Sequence, residues 1–74
     1  MNQMQRFGEK LRTLRQQNGF TVRELGTLLE VSGPYIVQME SGQKIPNAIM
    51  IIKIAQLFKV STDQLMFDHL ELGE

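Results

Sequence analysis

The side chains able to do covalent or acid–base chemistry are few and poorly placed for it. The 74 residues include no cysteine and one histidine, His69, so neither a thiolate metal site nor a cluster of imidazoles is available. No glycine-rich phosphate loop is present and no nucleophile has a base at a useful spacing, while Ser32, Ser41 and Ser61 read better as helix caps or turn residues. His69 beside Asp68 reads as a surface or interface residue rather than a pH switch or ligand. The expectation is a binding protein that is not an enzyme and needs no cofactor, metal or small-molecule ligand.

Eight basic and eight acidic side chains cancel, which argues mildly against nucleic acid, since non-specific affinity for DNA comes from cations on phosphates. The average hides a gradient. All eight Lys and Arg lie in residues 1–60 against four acids, a net of +4, and Asp63, Asp68, Glu71 and Glu74 make the last fourteen residues −4. A cationic body could face DNA while the acidic tail points away; an ordinary mixed surface would give the same counts.

The elements that must position any binding residue are short helices. From Gln3 to Asn18, Phe7, Leu11 and Leu14 recur at helical spacing and put Arg6, Lys10, Arg12 and Gln16 on the other face, with Gly19 ending the helix. Thr21 with Glu24 is a capping-box pair opening a second helix, about Val22 to Glu30, whose inner face is Leu25, Leu28 and Leu29. Val31 plugs the turn, Ser32 caps a third helix with Pro34 in its first turn, and that helix ends near Ser41 and Gly42. After Pro46 and the cap Asn47, Ala48 to Phe58 forms a fourth helix that is apolar on nearly every side, and Ser61 with Gln64 opens a fifth through about Phe67. No stretch alternates with period two, so no strand is expected. The fold class is therefore all-α, one domain over 1–74. The longest apolar run, Ala48 to Ile52, is far too short for a bilayer, and no signal run is visible, so a soluble cytoplasmic protein is expected.

The second and third helices are joined by only three to four residues around Val31 and Ser32, which forces a sharp angle rather than an antiparallel hairpin. This is helix-turn-helix geometry, over about 21–42. The runs TVRELG from Thr21 and VSGPYIVQMESG from Val31, then Pro46, then IAQLFKVS from Ile54, resemble the Xre and phage-repressor family of helix-turn-helix regulators. The resemblance extends from Phe7 to Leu65 and implies a five-helix bundle of the lambda-repressor type that binds double-stranded DNA as a symmetric dimer, with one recognition helix per half-site.

By that resemblance Gly33, Pro34, Val37 and Gln38 line the groove-facing side of the third helix, Gln38 being the best candidate for a base edge because an amide donates and accepts together. Without the motif Gln38 is a solvated surface glutamine. Val37 would at most touch a thymine methyl. Tyr35 either reaches a phosphate through its hydroxyl or packs its ring on the second helix, and Ile36 and Met39 should be buried. Arg23, Ser41, Gln43 and Lys44 are the remaining candidate phosphate contacts. Arg15 and Glu40 fall where the family commonly forms a partly buried ion pair, a clamp between the first and third helices. The chain departs from the family pattern at Val22, where glutamine is frequent, and at Gly33 and Pro34, where polar or basic residues are; these departures thin direct base readout and shift weight to backbone contacts and DNA shape.

Ile49 and Met50 stand where the family is usually polar and Leu57 where it is small. A small bundle cannot enclose that much apolar surface, so the fourth and fifth helices and the acidic tail, 47–74, are expected to meet a second copy through Ile49, Met50, Leu57, Leu65, Met66 and Phe67, extended by Leu70 and Leu72. The alternative is a tail folded back over its own fourth helix. The function expected is a dimeric transcriptional regulator, most simply a repressor; the alternative is a protein-interaction module such as an antitoxin or scaffold.

Overall fold

The computed structural model describes residues 4–73, which form five helices: α1 (Phe7–Gln17), α2 (Val22–Leu29), α3 (Gly33–Glu40), α4 (Ala48–Phe58) and α5 (Thr62–Met66), with no strand among the described residues. Four of the five start on a side chain that accepts from a backbone N–H of the first turn, which otherwise has no partner: Thr21 from Glu24, Ser32 from Tyr35, Asn47 from Met50 and Ser61 from Gln64. The Thr21 and Ser61 caps are full capping boxes, with Glu24 and Gln64 returning the hydrogen bond.

α1 is the exception, and its start differs from expectation. It begins at Phe7 rather than near Gln3, which lies outside the described residues, because Met4 turns the chain at φ 69° and Arg6 offers no side-chain cap. The missing acceptor comes from the other end of the chain: the Asp68 carboxylate takes the backbone N–H groups of Gln5 at 3.1 Å and Arg6 at 2.9 Å. α2 stops one residue early because Glu30 is left-handed, with φ 63°, and α5 stops at Met66 because Phe67 is extended.

The core is Phe7, Leu11 and Leu14 of α1, Leu25 and Leu29 of α2, Ile36 and Met39 of α3, Met50, Ile51, Ile54 and Ala55 of α4, and Leu65 of α5. α1 packs on α3 and α5, α2 on α3 and α4, and α4 on α5. Leu28 was expected inside but is 47% exposed: in a helix of eight residues the Leu25–Leu29 stripe, four apart, makes the core contact and position 28 turns away from it. Lys10 was expected on the solvent face but is 2% exposed, because α1 is sandwiched between α3 on one side and α5 on the other.

Two glycines fix the geometry around the turn. At Gly26 a Cβ would lie 2.8 Å from the carbonyl oxygen of Val31, which in turn donates its N–H to Gly26 O at 2.8 Å; the three-residue link Glu30-Val31-Ser32 therefore closes directly on α2. At Gly8 a Cβ would overlap the carbonyl oxygens of Glu40 and Met39, so α1 crosses the end of α3 at backbone contact. Alanine at position 8 is expected to push α1 outward and cost about 1 to 3 kcal/mol, the usual range for overpacking, and a urea melt of the Gly8→Ala protein reads it directly.

Candidate nucleic-acid interface

α3 is held from behind and bare in front. Ile36 and Met39 are fully buried on its inner side, while Val37 is 51% exposed and Pro34 is exposed on the outer side, with Gly33, Tyr35 and Gln38 half-buried between. The residues singled out for base contact therefore do share one edge of one helix. Its N-terminal end abuts the start of α2: a Cβ on Gly33 would sit 3.6 Å from Val22 Cγ1. Apart from Glu40 at its end, α3 has no charged residue.

The stretch after α3 is tied to Gln38 through its main chain. The Gln38 carbonyl accepts the N–H groups of Gln43 at 2.9 Å and Lys44 at 3.1 Å and the Ser41 hydroxyl at 3.2 Å, so Ser41, Gln43 and Lys44 are exposed yet anchored beside the C-terminal half of α3. Ser41 is thus partly committed to its own backbone. At the other end, Arg23 is exposed in the first turn of α2. No hydrogen bond or ion pair among the described residues occupies the side chains of Arg23, Gln38 or Lys44, which leaves them able to meet a ligand.

Arg15 and Glu40 form the expected clamp. Arg15 Nε donates to Glu40 Oε2 at 2.7 Å and Nη2 to Oε1 at 3.2 Å, while Nη1 donates to the Phe20 carbonyl at 3.0 Å. The side chains are 14% and 3% exposed, and the hydrogen bond to Glu40 raises the Arg15 pKa further above its ordinary value. Arg12 adds a second cation, Nε to Oε1 at 3.4 Å, from a half-exposed position; sequence reasoning placed Arg12 on the outer face and missed its reach across to α3. The carboxylate at the end of α3 therefore faces two guanidiniums.

The acidic tail, expected to extend a dimer contact or to fold back over α4, makes its polar contacts with the start of α1. It is strapped to α1. The Lys10 ammonium donates to the carbonyl oxygens of Gln64 at 2.7 Å, Phe67 at 2.8 Å and Leu70 at 2.7 Å, and Arg6 donates to Glu71 at 2.8 and 3.0 Å and to the Asp68 carbonyl at 2.9 Å. Burial lowers the Lys10 pKa below the ordinary lysine value, with the like charge of Arg6 adding to it. The backbone N–H of Arg6 holds the Asp68 pKa below its ordinary value, and the Arg6 side chain does the same for Glu71. The signal for Lys10 was present in the sequence: position 10 is three after Phe7 and four before Leu14, so it lies within the apolar stripe.

Two of the residues expected at a dimer contact are corrected. Met50, 8% exposed, and Leu65, fully buried, are consumed by the protomer's own core, because α4 and α5 pack on each other through those faces. Leu57 and Met66 are half-buried against the same core and Phe67 is half-buried against His69. Ile49 is 71% exposed, and Ile45 and Ile52, not singled out by sequence, are 76% and 47% exposed. No helix of the described residues is long and apolar enough to cross a membrane.

A helix-turn-helix family profile matches residues 11–65. The HTH-type transcriptional repressor RghR of Bacillus subtilis (strain 168) is 37% identical over 65 residues, a match covering 86% of this chain and 48% of that protein, so the chain spans about half the length of this curated relative. Among solved structures, the P22 c2 repressor in complex with a synthetic operator superposes with a TM-score of 0.76 at 25% identity, covering 92% of this chain and 96% of that one. The solution structure of the P22 c2 DNA-binding domain does so at 0.80 and 27%, over 100% and 96%. The restriction-modification controller protein C.AhdI of Aeromonas hydrophila matches at 0.73 and 28%, over 81% and 91%. The chain belongs to the Xre and phage-repressor family of helix-turn-helix DNA-binding transcriptional regulators.

Proposed function

We propose that this chain is a sequence-specific regulator of transcription, a repressor, that acts as a homodimer with α3 of each protomer in the major groove of a two-fold symmetric operator. The observation that carries it is the outer edge of α3: Pro34, Val37 and Gln38 stand on a helix braced from behind by the Arg15–Glu40 clamp, between uncommitted cations at Arg23 and Lys44. A helix with its side chains fills the major groove, and cations at its two ends meet the phosphates that border it. Arg23, Gln43, Lys44, Ser41 and the Tyr35 hydroxyl serve as phosphate contacts, while Gln38 reads a base edge. Occluding a promoter in this way needs no catalytic group.

The dimer contact in this reading centres on Ile49, with the exposed edges of Leu57, Met66 and Phe67, and includes the exposed Ile45 and Ile52. Ile49 and Ile52 are three apart on α4 and Ile45 lies shortly before it, all exposed, and a second copy would remove that apolar surface from water. Glutamate in place of Ile49, an exposed position that the fold tolerates, separates the protomers in sedimentation if this surface pairs them.

The test is selection of bound duplexes from a random DNA pool by the purified protein, followed by affinity against salt. A symmetric site with half-sites one helical turn apart and an affinity falling steeply with salt supports the reading; no enrichment and a flat salt response would transfer it to a protein-interaction module. On the selected duplex, Gln38→Ala is expected to cost about 1 to 3 kcal/mol and to relax preference at one base position, read by binding to the four duplexes that vary at that pair.

A further inference from the structure

We infer that the groove between α1 and the chain that follows α3 is a binding site for a small amphipathic anion, an apolar tail headed by a carboxylate or phosphate, and that filling it weakens the hold of α3 on DNA. Occupancy of the groove stands on its geometry alone; the effect on DNA rests on the proposed docking of α3.

The groove encloses about 580 Å³, within the range of small-molecule sites, which are apolar clefts carrying a few convergent polar groups. It narrows where Gly8 meets the carbonyl oxygens of Met39 and Glu40, closer than any Cβ would allow. Its far wall is the segment 41–46, which leaves α3 through Gly42 at φ 84°. Phe7, Met39 and Pro46 give it a buried apolar lining, and Ile45, 76% exposed, stands beside them. Nothing in composition or motif marks such a site, because it exists only where α1 packs across the chain after α3.

The charges of the groove favour an anion. Two carboxylates line it and each is already held, Glu40 by Arg15 at 2.7 Å and Glu9 by Arg6 at 3.1 Å. Arg12 reaches Glu40 through Nε alone, at 3.4 Å, so its two Nη groups make no hydrogen bond among the described residues; neither does the Lys44 ammonium. A guanidinium offers paired donors to a carboxylate or phosphate, and two cations lining one groove attract an anion into it. The tail of such a ligand removes from water both itself and the apolar surface around Ile45.

The far wall is also the segment given to DNA phosphates in the proposed function. Gln43 and Lys44 hang from the Gln38 carbonyl at 2.9 and 3.1 Å. An anion that engages the Lys44 ammonium withdraws one cation from the phosphates and sets a negative charge beside them.

The test titrates decanoate, below its micelle concentration, into the isotope-labelled protein and follows the backbone amides by NMR. Saturable shifts centred on residues 4–13 and 39–46 are expected, with a dissociation constant of about 1 mM or lower for a ligand of about a dozen non-hydrogen atoms. Arg12→Gln and Lys44→Gln, both at exposed positions, should each weaken binding about tenfold, with unchanged melting temperatures confirming that the variants are folded. Decyl phosphate separates the two head groups, the tighter binder naming the natural one. Decyltrimethylammonium has the same tail and the opposite charge and should leave the groove unshifted. Equal shifts with that cation, or decanoate binding undiminished in both variants, overturns the site. Ile49 lies outside the groove, so Ile49→Glu should bind decanoate as the parent does; loss of binding there would assign the tail to the contact between protomers and overturn the inference. On the selected duplex, saturating decanoate should weaken affinity about fivefold or more and lower the salt slope by about one. Unchanged duplex affinity with the groove filled overturns the coupling. Failure to select any duplex overturns the coupling together with the docking, while the amide shifts still decide the site.

Discussion

Glu40→Ala is expected to lose about 3 to 5 kcal/mol of stability in a urea melt, enough to leave a domain of this size largely unfolded at 37 °C. The carboxylate is 3% exposed and accepts from Arg15 at 2.7 and 3.2 Å. Removing it strands a guanidinium that is itself only 14% exposed. The paired replacement Arg15→Met with Glu40→Leu separates two roles of the clamp: replacing a buried pair by apolar side chains of similar volume is often neutral or better, so the double variant should recover most of the melt. If it recovers stability but loses affinity for the selected duplex, the pair exists to aim α3. A single Glu40→Ala variant that melts within about 1 kcal/mol of the parent would remove the clamp from any account of the fold.

The second large effect lies at Lys10. Its ammonium satisfies three carbonyl groups, those of Gln64, Phe67 and Leu70, from a position 2% exposed. Methionine keeps the volume and apolar stem but removes three charge-assisted hydrogen bonds, although the Phe67 carbonyl keeps the Leu70 N–H at 3.1 Å. With part of that loss returned as the tail lifts into water, Lys10→Met should cost about 3 kcal/mol. The same strap gives an acid limb. Asp68 and Glu71 have folded-state pKa values below their ordinary ones, so the stability they contribute is present above the usual carboxylate range and is lost as pH falls through the folded values. Melting at successive pH values below about 4 should therefore show the tail's contribution disappearing, and Asp68→Asn should flatten that limb.

Local signals in the sequence carried the architecture and stopped where the chain's two ends meet. Thr21, Ser32, Asn47 and Ser61 each cap a helix from within four residues, and a cap acts over that range, so four helix starts were legible. The start of α1 was not, because its acceptor is Asp68, more than sixty residues away. Lys10 was misread for the same reason: charge suggested water, and the three carbonyls that offset its burial come from the fifth helix and beyond. The Arg15–Glu40 clamp was reached through the family motif alone, since nothing in two opposite charges twenty-five residues apart requires that they touch. Met50 and Leu65 show the converse limit. Apolar excess in α4 and α5 was visible, but which residues of it face the protomer's own core depends on helix packing, and only the remainder, Ile45, Ile49 and Ile52, is open to a partner.

The strap also sets the order in which the molecule can become complete. A ribosome adds about 5 to 20 residues per second, so Lys10 is added roughly 3 to 10 seconds before Gln64, the first of its acceptors. The contacts that close α2 on α3, at Gly26 and Val31, are local, while α1 lacks its cap at Asp68 and the seat for its ammonium until the tail has been made. The α2–α3 pair thus depends on neighbours in the chain, and the helix that clamps it is locked late, by residues of the tail. A chain ending before Gln64, with neither Asp68 nor any acceptor for Lys10, would carry its helix-turn-helix on an unlatched α1, and protease added to such a truncated chain should cut at the N-terminal end of α1 first.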